Sequence, residues 1–246
     1  MPSSPRLTLV GILGRLQLYG VTQRGNNGQW VYLDNEDFRK GLDLMRKYTA
    51  RYDVLIHGWC LLHNHGHWIF EASDEDSISN LMRDMQGQYS RYLNSKYRKR
   101  LAKVVGKLGK EPREVTPYFR AGPVNWTPRF DSEHLVGASF PAFLRYMELN
   151  PVRAKMKQRA EDWPWSSAVA HLTGVDKEGL LSLEKWQLLF GGPDRIAEDW
   201  RGYLEAPILE EEANRLRVRT WSGSAHNRPT QWFPPPAVMS ADSRPG

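Results

Sequence analysis

The chain has 246 residues, with 34 Lys and Arg against 28 Asp and Glu and a formal net charge of +6, a length that suits one large domain, or one domain with an extension. Its single cysteine, Cys60, excludes an intramolecular disulfide framework and a cysteine-rich zinc module. No apolar run reaches the roughly 18 residues of a membrane span, and Leu7–Leu13 makes a poor signal peptide because it is short and runs into Arg15. A reducing, cytoplasmic setting follows as the expectation, and the modest positive charge permits a nucleic-acid partner without requiring one.

Leu9–Gln23 mixes β-branched and apolar residues in partial alternation and reads as a strand that ends in the turn cluster Arg24-Gly25-Asn26-Asn27-Gly28. Asp34 and Asn35 can cap a helix to about Arg51, with Phe38, Leu42, Met45 and Tyr48 at helical spacing. Val54–Leu62 and His65–Glu71 are strands joined through Asn64, an antiparallel hairpin. A second helix starts near Ser73–Ser77 and runs to about Tyr97, carrying Ile78, Leu81, Met85, Tyr89 and Tyr92 on one stripe. Residues 96–113 then hold eight Lys and Arg and one acid, and the stretch 96–128 reads as a basic insertion. Ser139 can cap a third helix that Pro151 ends. Residues 156–206 look helical and rich in tryptophan, and the tail from 207, with its prolines, has no evident core of its own. The order β-α-β-β-α predicts an α+β fold of ferredoxin-like kind.

Four of the seven histidines, His57, His63, His65 and His67, fall within eleven residues. In a strand, His65 and His67 share one face about 7 Å apart, close enough to hold one divalent ion through neutral ring nitrogens. His63 adds a third if the strand starts early; a pair of exposed or hydrogen-bonded strand histidines is the plainer alternative. On the third helix Phe140, Phe143, Leu144 and Met147 form the buried stripe, while Tyr146 and Asn150 neighbour each other on its flank with Arg153 below. Tyr146 reads either as a half-buried core residue with a wet hydroxyl or as a nucleophile, with Asn150 as the oxygen ligand two histidines lack. Tyr89 and Tyr92 are rival nucleophiles better explained by packing. His57 is expected in the core, Trp163-Pro164-Trp165 as a structural corner, and Glu71 too far along its strand to join a metal.

These elements together resemble the REP-associated tyrosine transposases, single-tyrosine, IS200-like members of the HUH endonuclease superfamily. The resemblance rests on Tyr19–Asn26, Cys60–Trp68, Gln88–Asn94, Arg129-Phe130, Arg145–Ala154 and Trp163–Ser167. It implies a ferredoxin-like sheet with helices packed on it over 7–174; by composition and pattern, 175–206 reads as a helical extension and 207–246 as a tail. It makes Tyr146 the nucleophile and His65, His67 and Asn150 the ligands of Mg²⁺ or Mn²⁺. The implied substrate is single-stranded DNA with a hairpin or palindromic repeat, cut and rejoined through a 5′-phosphotyrosine link. A non-catalytic repeat-binding protein and a histidine-triad-like phosphohydrolase are the alternatives, and both monomer and homodimer stay open. Two positions depart from the family pattern: Gly66 stands where a bulky apolar residue is usual, and His63 where proline is common. Arg217–Gly223 resembles a family C-terminal segment only weakly. Candidate DNA contacts are Arg24, Asn26, Arg98, Lys99, Arg100, Lys103, Arg129 and Arg153, with Tyr118 and Trp126 near the basic run as stacking surfaces.

Overall fold

The computed structural model describes residues 17–108, 126–136, 139–184, 186 and 193–206. Its strands are β1 (Gln17–Arg24), β2 (Leu55–Leu62), β3 (His65–Ala72) and β4 (Asp131–His134). They form one antiparallel sheet in the order β2-β3-β1-β4, the ferredoxin-like arrangement that the element order implies. β1 lies against β3 along its whole length, Gln17 opposite Ala72 and Arg24 opposite His65. β4 closes the far edge, with Tyr19 opposite His134 and Thr22 opposite Asp131.

The helices are α1 (Asn35–Tyr52), α2 (Glu75–Leu108), α3 (Ser139–Glu148), α4 (Asn150–Arg153), α5 (Ala168–Thr173) and α6 (Pro193–Glu205). α1 starts where its capping residues dictate. The Asp34 carboxylate accepts from the Asp37 amide, and the Asp37 carboxylate accepts in return from the Asp34 amide. Asp37 is fully buried and also takes hydrogen bonds from the hydroxyls of Tyr92 and Tyr97 and from Lys96, all on α2. Burial works against the Lys96 charge, yet hydrogen bonds to Asp34, Asp37 and Glu36 hold the ammonium above its usual range. This knot fastens α1 to α2 on one face of the sheet, where Gly41 lets α1 approach Leu61 and Tyr32.

The opposite face receives α3. Glycines again permit the approach: a Cβ on Gly20 would stand 2.9 Å from the Phe143 ring, and one on Gly58 would stand 2.6 Å from Leu144. His65 and His67, with Thr22 across from His67, occupy this second face. The free edge of β2 is covered by the tryptophan corner. The Leu61 amide donates to the Trp165 carbonyl, the Ser167 amide to the Trp59 carbonyl, and the Trp163 indole N–H to the Leu61 carbonyl, each at 2.9 Å. That corner therefore does the structural work expected of it, and an edge that could pair with another chain is closed.

Glu148, at the end of α3, ties on the C-terminal layer. It is fully buried and accepts from the Ser167 hydroxyl, the His171 Nδ1 and the Trp200 indole N–H. Trp186 and Trp200 meet edge-on with ring centres 4.8 Å apart, so the tryptophan richness of this region serves packing.

Several expected boundaries move. α2 runs to Leu108 instead of stopping near Tyr97, so the first part of the expected basic insertion continues the helix. Residues 109–125, including Tyr118, lie outside the described residues, as do those before Gln17, the tail from 207 and His226. α3 stops at Glu148, short of Pro151. Pro151 instead sits in the first turn of α4, where a missing N–H costs nothing. Residues 156–206 are not one helical run. Among the described residues they form a 3-10 turn at Ala160–Asp162, the tryptophan corner, α5 and α6.

Candidate nucleic-acid cleavage site

β3 and α3 bring the two chemistry-bearing elements together. The rings of His65 and His67 lie 4.9 Å apart, centre to centre. The Tyr146 ring meets His67 edge-on at 5.9 Å and at 88°. The phenol of α3 thus reaches histidines of its own chain across about eighty residues of sequence. Phe143, one turn earlier, also faces His67, at 6.4 Å, so the helix is held in register by the same ring.

Each histidine has one nitrogen fixed. His65 Nδ1 donates to the Asn64 carboxamide oxygen at 2.6 Å, which leaves a lone pair on Nε2. His67 Nδ1 stands 2.8 Å from the Thr22 hydroxyl, while its buried Nε2 has no hydrogen-bond partner. Burial and then the Arg24 cation hold His65 well below the ordinary imidazole range, with His67 adding to the effect. Burial, Arg24 and Arg153 do the same to His67. Both rings are therefore neutral near pH 7, the form that can bind a cation.

Two guanidinium groups flank the phenol. Arg24 ends β1 directly opposite His65; burial lowers its pKa, while Tyr146 and Asp131 act in the opposite sense. Arg153 lies over the Tyr146 ring with its guanidinium carbon 4.5 Å from the ring centre. Asn150, one turn after Tyr146, has a buried amide nitrogen without a hydrogen-bond partner. No group of three or more His, Cys, Asp and Glu that could hold a metal occurs among the described residues. The groups that could hold one are the two Nε2 atoms and the Asn150 carboxamide oxygen. Two neutral imidazoles and an amide oxygen fit a divalent ion, and the buried, partnerless Nε2 of His67 suits that use.

The remaining histidines do other work. His63 sits in the turn between β2 and β3, its Nδ1 2.7 Å from the Tyr32 carbonyl and its ring stacked on Trp30 at 4.4 Å. It does not join the pair, because the strand starts only at His65. His57 is in the core, as expected, within hydrogen-bond distance of a fully buried Glu71, and that contact engages the carboxylate carried by the histidine strand itself. His171 carries no sequence signal and holds Glu148. His134 lies against the Tyr19 ring, 5.5 Å away. Tyr89 is buried and donates its hydroxyl to the Val31 carbonyl at 2.6 Å, and Tyr92 donates to Asp37 at 3.0 Å. Both serve packing.

Of the other proposed contacts, Asn26 and Arg129 fall at one end of the sheet. Both are exposed. The Thr127 amide donates to the Arg24 carbonyl, and the Gly25 amide to the Asn64 carbonyl, each at 2.8 Å, so both segments close on the His65 end. Arg98, Lys99, Arg100 and Lys103 lie on the C-terminal half of α2, their side chains outside the described part. Trp126 is buried between Tyr32 and Tyr89 and is no stacking surface.

Residues 30–109 match the family model described as transposase, IS200 like. Over that stretch the chain is similar to IS200-like transposases. The match takes in α1, β2, β3 and α2 with His65 and His67, while Tyr146 and Asn150 lie beyond it. Among solved structures, the chain is similar to a REP-associated tyrosine transposase bound to a REP hairpin. The identity is 17%, over 72% of this chain and 90% of that one, with a TM-score of 0.47. A protein of Deinococcus radiodurans R1 assigned as a transposase matches at 15% identity over 60% of this chain and 91% of that one, with a TM-score of 0.35. No curated protein matches the chain. Among the described residues, no helix is long and apolar enough to cross a membrane.

Proposed function

We propose that this protein cleaves and rejoins hairpin-containing single-stranded DNA through a covalent bond to Tyr146. The observation that carries the reading is the convergence of Tyr146 with His67, ring to ring at 5.9 Å, from elements distant in sequence. The IS200-like match over the histidine strand supports the same chemistry, and the sequence resemblance supplies the hairpin. The Tyr146 oxygen attacks the scissile phosphorus as the bond to the 3′-oxygen breaks. The phenol gives up its proton and the departing 3′-oxygen takes one up, leaving a 5′-phosphotyrosine and a free 3′-hydroxyl. A 3′-hydroxyl reverses the step, so no external energy source is needed.

A divalent ion such as Mg²⁺ or Mn²⁺, held by His65, His67 and Asn150, would act as a Lewis acid on the scissile phosphate. The protein's own part is positional. Thr22 and Asn64 orient the imidazoles, α3 presents the phenol, and Arg24, Asn26 and Arg129 place cationic and amide groups at the same end of the sheet for the DNA backbone. Arg98, Lys99, Arg100 and Lys103 extend that charge along α2. The test is a single-stranded hairpin substrate labelled on the fragment downstream of the cut, incubated with Mn²⁺ and resolved on a denaturing protein gel. Labelled adduct is expected from the native protein and none from Tyr146→Phe, with DNA affinity kept. Undiminished adduct from Tyr146→Phe overturns the assignment.

A further inference from the structure

We infer that Arg153 is a catalytic residue of this site, its guanidinium binding a non-bridging oxygen of the scissile phosphate while Tyr146 attacks. The inference rests on the tyrosine reading above and adds a specific role to a residue that would otherwise count as one more backbone contact.

Three observations single it out. Arg153 lies over the Tyr146 ring, its guanidinium carbon 4.5 Å from the ring centre, against the side chain that carries the attacking hydroxyl. Its Nη1 is buried with no hydrogen-bond partner, although a guanidinium nitrogen withdrawn from water ordinarily has one. It also lies close enough to His67 to be among the charges that depress that imidazole. The contrast with Arg24 is instructive. Arg24 has Asp131 facing it from the neighbouring strand, at the Thr22 register of β4. Arg153 makes no ion pair with any described residue. An uncompensated guanidinium against a phenol is a site prepared for an anion, and a tyrosine attacking a phosphodiester brings one to that place.

The position in the fold explains the geometry. α3 stops at Glu148 and α4 restarts at Asn150 with Pro151 in its first turn. The Arg153 amide still donates to the Leu149 carbonyl at 2.9 Å. The break thus keeps Arg153 in helical register below Tyr146 and Asn150, and its guanidinium over the Tyr146 ring. During attack the phosphorus carries charge on its non-bridging oxygens. A fixed guanidinium donor at that point stabilises the transition state more than the bound substrate, and so acts on rate rather than on affinity.

The test separates rate from binding. Single-turnover adduct formation and equilibrium DNA binding are measured on the hairpin substrate with Mn²⁺ for the native protein, Arg153→Lys, Arg153→Ala and Tyr146→Phe. We expect Arg153→Ala to slow adduct formation 100-fold or more while the dissociation constant changes less than fivefold, and Arg153→Lys to recover part of the rate. Free guanidinium should restore activity to Arg153→Ala. A substrate whose scissile phosphate is a methylphosphonate lacks the charged oxygen, and there Arg153→Ala should cost much less. A loss confined to affinity, or an equal loss on the methylphosphonate, overturns the role. If Arg153→Ala behaves as native while Tyr146→Phe gives no adduct, the inference fails and the tyrosine reading stands. If Tyr146→Phe still forms adduct, it is the reading that fails.

Discussion

Gly66 shows how a single position can depart from a pattern without disturbing the site beside it. It separates the two histidines on β3, where a bulky side chain would anchor the strand. The slot is not vacant. A Cβ at Gly66 would fall 2.4 Å from Cη2 and 2.6 Å from Cζ2 of Trp68, so the indole from two residues on fills it. Trp68 is buried and rigid, and it cannot step aside for a branched side chain. Gly66→Val should therefore destabilise the protein by about 1–3 kcal/mol, despite valine's better strand propensity. Trp68→Leu alone should cost a similar amount by leaving a cavity. The double variant should be less destabilised than the sum of the two, because each change relieves the other. Urea unfolding of the four proteins measures this, and strict additivity would show that the two side chains do not share the slot.

At the scale of elements, β3 carries a cost that pH exposes. Its two site histidines are neutral in the folded protein because burial, Arg24 and, for His67, Arg153 disfavour their charge. Unfolded, they titrate near 6.5. Their folded pKa values are lower, so the unfolded chain binds protons first as pH falls. Stability is at its full value above about pH 6.5 and declines as pH falls from there toward the folded values, at up to roughly 1.4 kcal/mol per pH unit for each group. Metal-free protein should thus lose urea resistance between pH 7.5 and 5.5. The double variant His65→Gln, His67→Gln should show a flatter profile, and an unchanged slope would mean that the imidazoles are not what burial penalises. Such elements were legible in the sequence where local signals were strong: Asp34 and Asp37 announce the start of α1, and alternation plus the Asn64 turn announce the β2–β3 hairpin. β4 was not, because Asp131-Ser132-Glu133-His134 has no apolar residue and exists as a strand only because β1 offers an edge. The continuation of α2 through Lys99 and Lys103 was masked in the same way by charge that reads as loop. Tyr146 and His65 could be paired through a resemblance, but the contact with Arg153 depends on where α3 breaks. Neither the break at Leu149 nor the buried partnership of Glu148 with His171 and Trp200 has a local signature.

For the whole molecule, the distribution of charge bears on binding more than the net +6 does. Arg24, Arg129 and Arg153 belong to the sheet end that holds the histidines, while Arg98, Lys99, Arg100 and Lys103 sit on the far half of α2, beyond the knot at Asp37 that fixes that helix to α1. A long helix anchored at one place and basic at the other can follow a nucleic-acid backbone away from the cut. Each phosphate neutralised releases counterion, so the logarithm of affinity falls with the logarithm of salt by about 0.7 per contact on single strands. All seven cations engaged would give a slope of about −5, and the three near the histidines alone about −2. The difference is large: between 50 and 200 mM salt the first case loses affinity on the order of 1,000-fold, the second roughly 20-fold. Changing Arg98, Lys99, Arg100 and Lys103 to glutamine should reduce the slope by about 3 if α2 tracks the backbone. Adduct formation at saturating DNA should survive that change, because none of the four belongs to the element that carries the phenol. Fluorescence anisotropy of a labelled hairpin across a salt series reads the slope directly. An unaltered slope in the fourfold variant would confine the nucleic acid to the sheet end and leave the basic half of α2 a solvated surface.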